Sequence, residues 1–289
     1  MNTYKESIEC DGRERTFYYS LPQTFTKPLP VLLCFHGAGS NALHHMKTTK
    51  FHEKVEEQQM IAVFPEAVQL NKSDPMSRQW NEGRQKNPAN EQGINDIGFV
   101  MELIDWLKHQ FSINEDRIYA TGFSNGSSFS MRLAIECQDV FAGIGGVSGP
   151  VTAEVAEKCE WAHPMPMVFM MGTDDAVVPY DGIVDSESMV DGLLSANDTA
   201  LLFARSWSES LLALKEEFPV PNESSVTKHT FHQHEGTVYY LINGGGHTWP
   251  GGPESQASAL AGNVPSHPDA TQVIWDQLKH FKRNKQTMI

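Results

Sequence analysis

The chain predicts an α/β fold, a mostly parallel central sheet with helices on both faces. Three observations carry that reading. Short, uninterrupted apolar runs at residues 31–35, 60–64 and 167–171 read as strands buried on both faces. Amphipathic helical stretches alternate with them, the clearest at 94–110. The residues able to do chemistry fall directly after the apolar runs, and in a parallel sheet ligands sit at the carboxyl ends of the strands.

Taken in order, residues 15–21 alternate and are rich in aromatics, which suggests an early antiparallel strand. Residues 31–35 form a buried strand in which Cys34 acts as a small core residue. A charged helix over 46–59 leads to a strand at 60–64, stopped by Pro65. The polar stretch 68–93 holds Pro75, Pro88 and two glycines, and reads as a long loop carrying Trp80. Ile97, Val100, Met101, Ile104 and Leu107 are spaced for one face of the helix at 94–110. A strand at 116–121 runs into a turn and then a helix to about Cys137. Buried strands follow at 141–147 and 167–171. Residues 197–218 read as a helix ended by Pro219 and Pro221. Segments 227–233 and 237–242 read as a hairpin around Glu235–Gly236. A glycine- and proline-rich loop spans 244–268, and a helix at 271–281 closes the chain. The expectation is a single domain over 1–289, with 68–93 and 181–195 as lid or pocket-shaping segments.

Of 289 residues 40% are hydrophobic, enough for one large core. The formal net charge of -14 repels phosphate backbones and anionic lipid, which argues against nucleic-acid or membrane partners. No run approaches the ~18 apolar residues of a membrane span. The first residues lack an apolar stretch after a basic start, so the expected location is cytoplasmic, or secreted if a leader has been removed. The four cysteines include no C-x-x-C pair and suit a reduced chain. His232 and His234 share a strand face, but no carboxylate or cysteine partner is evident. Neither a metal nor a cofactor is expected.

The chemistry concentrates at four positions. Gly122-Phe-Ser-Asn-Gly126 is a G-x-S-x-G turn between a strand and a helix, a context that lifts Ser124 out of the backbone as a nucleophile. The helix starting near Asn125 points its first amides at charge developing beside the serine. His36-Gly-Ala-Gly39 follows the first buried strand and is either an ordinary glycine-rich turn or, with the Ala38 and Asn125 amides, an oxyanion hole. Asp174 and Asp175 follow the strand at 167–171. One of them could orient a histidine and the other cap a turn. His247 lies behind three glycines, Gly244–Gly246, and is the histidine set in the most permissive backbone. Trp249 and Trp80 are candidate walls of a substrate pocket, with packing in the core as the competing role, while His44 and His45 read as solvated.

Four segments together resemble the polyhydroxybutyrate depolymerase and feruloyl esterase group of α/β-hydrolases. They are Thr121-Gly-Phe-Ser-Asn-Gly126, Asp96-Ile-Gly-Phe99, Gly172-Thr-Asp-Asp-Ala-Val-Val-Pro-Tyr180 and Gly245-Gly-His-Thr-Trp-Pro-Gly-Gly252. The resemblance covers roughly residues 15–282. It implies a serine esterase with an α/β-hydrolase fold, acting on a small-molecule ester. Ser124 matches the nucleophile and His247 the base, and the pattern places the acid on Asp175. Ala38 follows the His-Gly pair whose next amide serves the oxyanion. Cys137 and Cys159 match cysteines often seen in the group, which raises a disulfide between them. Departures are Ser127, where the group often has glycine, and the acidic segment 181–195. A peptidase or thioesterase on the same fold, or a non-catalytic binding protein, are the competing readings. Oligomeric state is not legible.

Overall fold

The computed structural model describes residues 3–183, 192–209, 211–219, 225–231, 236–256 and 258–283. The chain opens with a hairpin, β1 (Thr3–Cys10) and β2 (Arg13–Ser20), turning at Asp11 and Gly12, both at positive φ. Then come β3 (Leu29–Phe35), α1 (Ala42–Thr49), α2 (Phe51–Gln58) and β4 (Ile61–Pro65). The long loop that follows holds a 3-10 turn at Pro75–Ser77 and a single turn of helix, α3 (Pro88–Glu91). Next are α4 (Asp96–Gln110), β5 (Ile113–Phe123), α5 (Asn125–Glu136), β6 (Gly143–Val147), α6 (Ala153–Ala156) and β7 (Met167–Gly172). The last part contains α7 (Ala196–Ala204), β8 (Ala213–Phe218), β9 (Val226–Phe231), β10 (Thr237–Ile242) and α8 (Ala270–Leu278).

The strands form one sheet in the order β1-β2-β4-β3-β5-β6-β7-β10-β9-β8. The run from β4 to β10 is parallel, and the antiparallel strands β1, β2, β9 and β8 lie outside it. The two-residue period of the strands splits the core. Val31, Leu33 and Phe35 of β3 pack with α4, α5 and α7 on one face. Leu32 and Cys34 pack with α1, α2 and α8 on the other. That two-sided burial is why the strand sequences read as continuous apolar runs.

Several expectations are corrected. The helix expected over 46–59 is two helices, broken at Lys50 in the left-handed conformation, φ 55°. The carbonyl of Thr49, just before the break, accepts the Thr271 hydroxyl of α8 instead of continuing the helix. The helix expected over 197–218 ends at Ala204, and 213–218 is the edge strand β8. Its register with β9 supplies backbone partners, overriding the helical propensity of Leu214–Glu217. On α4 the fully buried side is Phe99, Val100, Leu103, Ile104 and Leu107, whereas Ile97 and Met101 lie at its margin. Strand β1 was not anticipated, although the Asp11–Gly12 turn signal is present. The hairpin expected around Glu235–Gly236 falls partly on residues 232–235, among them His232 and His234, which lie outside the described residues, as do 184–191. Among the described residues no helix is long and apolar enough to cross a membrane.

Candidate active site

Strand β5 ends at Phe123, and the next residue, Ser124, adopts φ 53° and ψ -124°. For a residue with a side chain this conformation is strained, and the surroundings hold it. The Ser124 amide donates to the Val147 carbonyl of β6 at 2.8 Å, and the Ser124 carbonyl accepts from Ser127 and Ser128 in the first turn of α5. A Cβ on Gly122 would lie 2.2 Å from the Gly126 carbonyl oxygen, and one on Gly126 would lie 2.2 Å from the Phe35 carbonyl oxygen of β3. Glycine is therefore required at both positions, so that α5 can pack this closely on β3 and β5. Gly149 is a third such residue that the sequence did not mark, because its Cβ would meet the Ser124 carbonyl oxygen at 2.0 Å.

The structure brings three of the expected residues into one line. His247 Nε2 is 2.9 Å from Ser124 Oγ, and His247 Nδ1 is 2.8 Å from Asp175 Oδ2. Asp175 is buried, and its second oxygen, Oδ1, accepts the backbone amides of Val177 and Val178 at 3.0 and 2.8 Å. Those bonds fix the carboxylate as an acceptor. An ionised carboxylate on Nδ1 calls for a proton there, which leaves Nε2 free to accept from the serine. Asp174 does not meet the ring. It accepts the Thr173 hydroxyl at 3.0 Å and lies exposed. The loop bearing His247 is held by the His247 backbone N–H, which donates to the Ala261 carbonyl at 2.6 Å, and a Cβ on Gly246 would meet that same carbonyl oxygen at 2.1 Å.

Ala38 and Asn125 both line the cavity that contains Ser124 and His247, with a volume of about 750 Å³. The turn carrying Ala38 is anchored from below by His36. Its Nδ1 donates to the Gly37 carbonyl at 2.8 Å and its Nε2 accepts the Ala67 amide at 3.1 Å. With both nitrogens so used the ring is neutral, and burial lowers its pKa to about 4. The 68–93 segment walls the cavity with Leu70, Met76, Gln79, Glu82 and Arg84. From 181–195, Leu193 reaches it.

The two tryptophans occupy other places than expected. Trp80 is fully buried, stacks on Phe129 with ring centroids 5.2 Å apart, and donates its indole N–H to the His36 carbonyl at 3.0 Å. Trp249 is fully buried too, donates to Thr271 Oγ1 at 3.0 Å, and packs edge-on against Phe51. Neither lines the cavity. Each places its large apolar ring in the core with its one donor satisfied, a role the sequence could not distinguish from a pocket wall. His45, expected to be solvated, is buried, whereas His44 stays exposed with Nδ1 3.2 Å from Ser40 Oγ. Cys137 and Cys159 are both free thiols.

Glu82 and Asp96 are the residues that motif reading missed or left without a role. Asp96 is buried at the start of α4, pairs with Arg15 of β2 at 2.6 Å, and accepts the Asn81 amide at 2.8 Å. Glu82 is buried in the cavity wall, pairs with Arg84 at 3.0 Å, and has its pKa raised by burial to about 7. In sequence it is one of three carboxylates in the polar stretch 68–93, with no local signal.

Residues 8–251 match the family described as "Putative esterase". The chain is 25% identical to "Putative esterase NocK" of Nocardia uniformis subsp. tsuyamanensis over 81% of this chain and 69% of that protein. It is 27% identical to "Feruloyl esterase B" of Piromyces equi over 58% of this chain, but the match spans only 30% of that longer protein. The structure of an acetyl xylan esterase from Aspergillus awamori superposes with a TM-score of 0.59 at 10% identity, covering 96% of this chain and 99% of the other. At that identity the likeness is one of fold, an α/β-hydrolase.

Proposed function

We propose that this chain, which belongs to the esterase family matched by its residues 8–251 and so is a carboxylic ester hydrolase, cleaves small soluble esters through an acyl-enzyme. The observation that carries the mechanism is the unbroken hydrogen-bonded line from Ser124 Oγ through His247 to Asp175. Ser124 attacks the ester carbonyl while His247 Nε2 takes its proton and returns it to the departing alcohol. Asp175 keeps the ring oriented and stabilises the imidazolium that forms. Water then attacks the acyl-enzyme by the same route, and the carboxylic acid leaves. The amides of Ala38 and Asn125 are the donors assigned to the oxyanion, whose charge appears only as the tetrahedral intermediate forms. The relatives named above make short acyl and feruloyl esters the first substrates to test.

The test is a panel of p-nitrophenyl esters of increasing acyl length, with methyl ferulate, against the wild type and Ser124→Ala. Turnover should be lost almost completely in the variant, with its fold intact. The acyl-length profile then sizes the pocket. Activity should rise from acid toward neutral pH, because the base must be neutral to accept the serine proton. Turnover retained by Ser124→Ala, or a profile flat from acid to neutral pH, would remove these residues from the mechanism. Preference for a thioester or amide of the same acyl group would move the substrate class.

A further inference from the structure

The first residue of α5, Asn125, does more than carry a backbone amide. Its side-chain Oδ1 accepts the Trp80 amide at 2.7 Å, and its Nδ2 donates to the Trp80 carbonyl and to Glu82 Oε2, each at 3.0 Å. Glu82 is only 2% exposed, and among the described residues its carboxylate oxygens meet donors. Oε1 takes Arg84 Nε at 3.0 Å, and Oε2 takes the side-chain amides of both Asn87 and Asn125. From α5 the Arg132 guanidinium adds positive charge nearby, itself fixed on the Asn81 carbonyl and Asn81 Oδ1 at 2.8 Å. From the direction of α6 the Thr152 hydroxyl donates to the Glu82 backbone carbonyl at 3.4 Å. Asp96 reaches the same loop through the Asn81 amide, with Arg15 behind it.

A carboxylate surrounded only by donors is an orienting group, since each oxygen fixes the direction of the N–H that meets it. Burial alone disfavours such a charge, and stability would be served as well by an apolar side chain. The charge sits instead one hydrogen bond from the residue that follows the nucleophile. We propose that Glu82 is a positioning residue for acyl transfer, its carboxylate locking the Asn125 side chain and thereby the N-terminal amide of α5 beside Ser124. This assignment rests on the serine-esterase reading above. Small misplacements of a group that acts only in the transition state lower kcat without changing how the ester first binds.

The experiment is a double-mutant cycle on the full chain with Glu82→Gln, Asn125→Ala and the pair, each read as kcat and KM on the best p-nitrophenyl ester. Glu82→Gln keeps the size of the side chain but turns an amide N–H₂ toward existing donors. Asn125→Ala keeps the backbone amide while deleting the clamp. Each single change should lower kcat roughly 10- to 100-fold with KM held within about twofold. The pair should be no worse than the weaker single variant by more than about threefold, because both changes break one linkage. Additive losses, an unchanged kcat, or a rise in KM with kcat kept would each overturn the assignment. Should Glu82→Gln fail to fold, Asn125→Ala decides alone, and a kcat within about twofold of the parent refutes the clamp. Labelling of Ser124 by an active-site phosphonate in the parent separates the two levels. A folded parent that neither labels nor hydrolyses any ester brings down the esterase mechanism and Glu82 with it. A parent that labels and hydrolyses, with an additive cycle, removes Glu82 only.

Discussion

At the scale of single residues, burial shifts the protonation of two groups around the site in opposite senses. His36 is held neutral under the Ala38 turn, its pKa lowered from 6.5 to about 4 by burial. Because the folded value lies below the unfolded one, the native state binds fewer protons between them. His36 therefore contributes stability above pH 6.5 that is lost as pH falls toward 4. Buried His45, its pKa also lowered by desolvation, acts in the same direction. Glu82 runs the opposite way. Raised from 4.5 to about 7, it favours the folded state below pH 4.5, and that contribution is lost as pH rises through 7. Urea midpoints should thus fall from pH 7 to pH 5 for the wild type, and more steeply for Glu82→Gln. A variant with a shallower acid loss than the wild type would contradict the assignment. Ser124 and His247 were legible from backbone chemistry, glycines before a histidine and around a serine. Glu82 was not, since its role arises from partners on α5 and in the loop before α3 that no local pattern joins.

At the scale of elements, the turn at Ser124 is a contact among three strands and a helix. Gly126→Ala would drive a methyl group into the Phe35 and His36 carbonyls at the end of β3, at 2.2 and 2.5 Å, where only backbone can yield. It should destabilise the fold by more than ~4 kcal/mol or abolish soluble expression, as measured by denaturant unfolding. By contrast Gly93→Ala, with nothing within 4 Å of the new Cβ, should cost only the strain of φ +63°. The start of α4 gives a second case. Asp96→Ala strands Arg15 in the core with its guanidinium over the Phe99 ring, 4.0 Å from the centroid. The expected loss is about 3–5 kcal/mol. Kinetic parameters of whatever fraction folds should worsen too, because the Asn81–Glu82 loop loses its anchor. The Asp96 segment was visible in the sequence as part of a family pattern. What it anchors was not, because Arg15 and Asn81 lie in distant stretches of chain.

At the scale of the whole molecule, the sheet brings distant strand ends together and leaves two edges. Edge strand β8 exposes Leu214 and Phe218 on either side of Lys215, Glu216 and Glu217. Those charges discourage edge-to-edge pairing, so Lys215→Val with Glu216→Val should promote self-association in sedimentation velocity while leaving esterase activity per folded monomer unchanged. The same topology shows where sequence reading stops. Apolar runs and their alternation with helices determined the α/β class, because burial on both faces leaves a continuous apolar signature in a single strand. Glycine placement determined the serine and histidine loops, because conformations and close approaches open only to glycine are written into composition. Between Asp174 and Asp175 the residues alone left the choice open, the family pattern pointed to Asp175, and in the structure it is Asp175 that meets His247. Two things were decided only by the assembled structure: the two tryptophans face the core, and residues 213–218 form a strand. Each depends on which groups from remote parts of the chain arrive alongside. Burial and hydrogen-bond satisfaction are properties of that arrangement, not of any window of sequence.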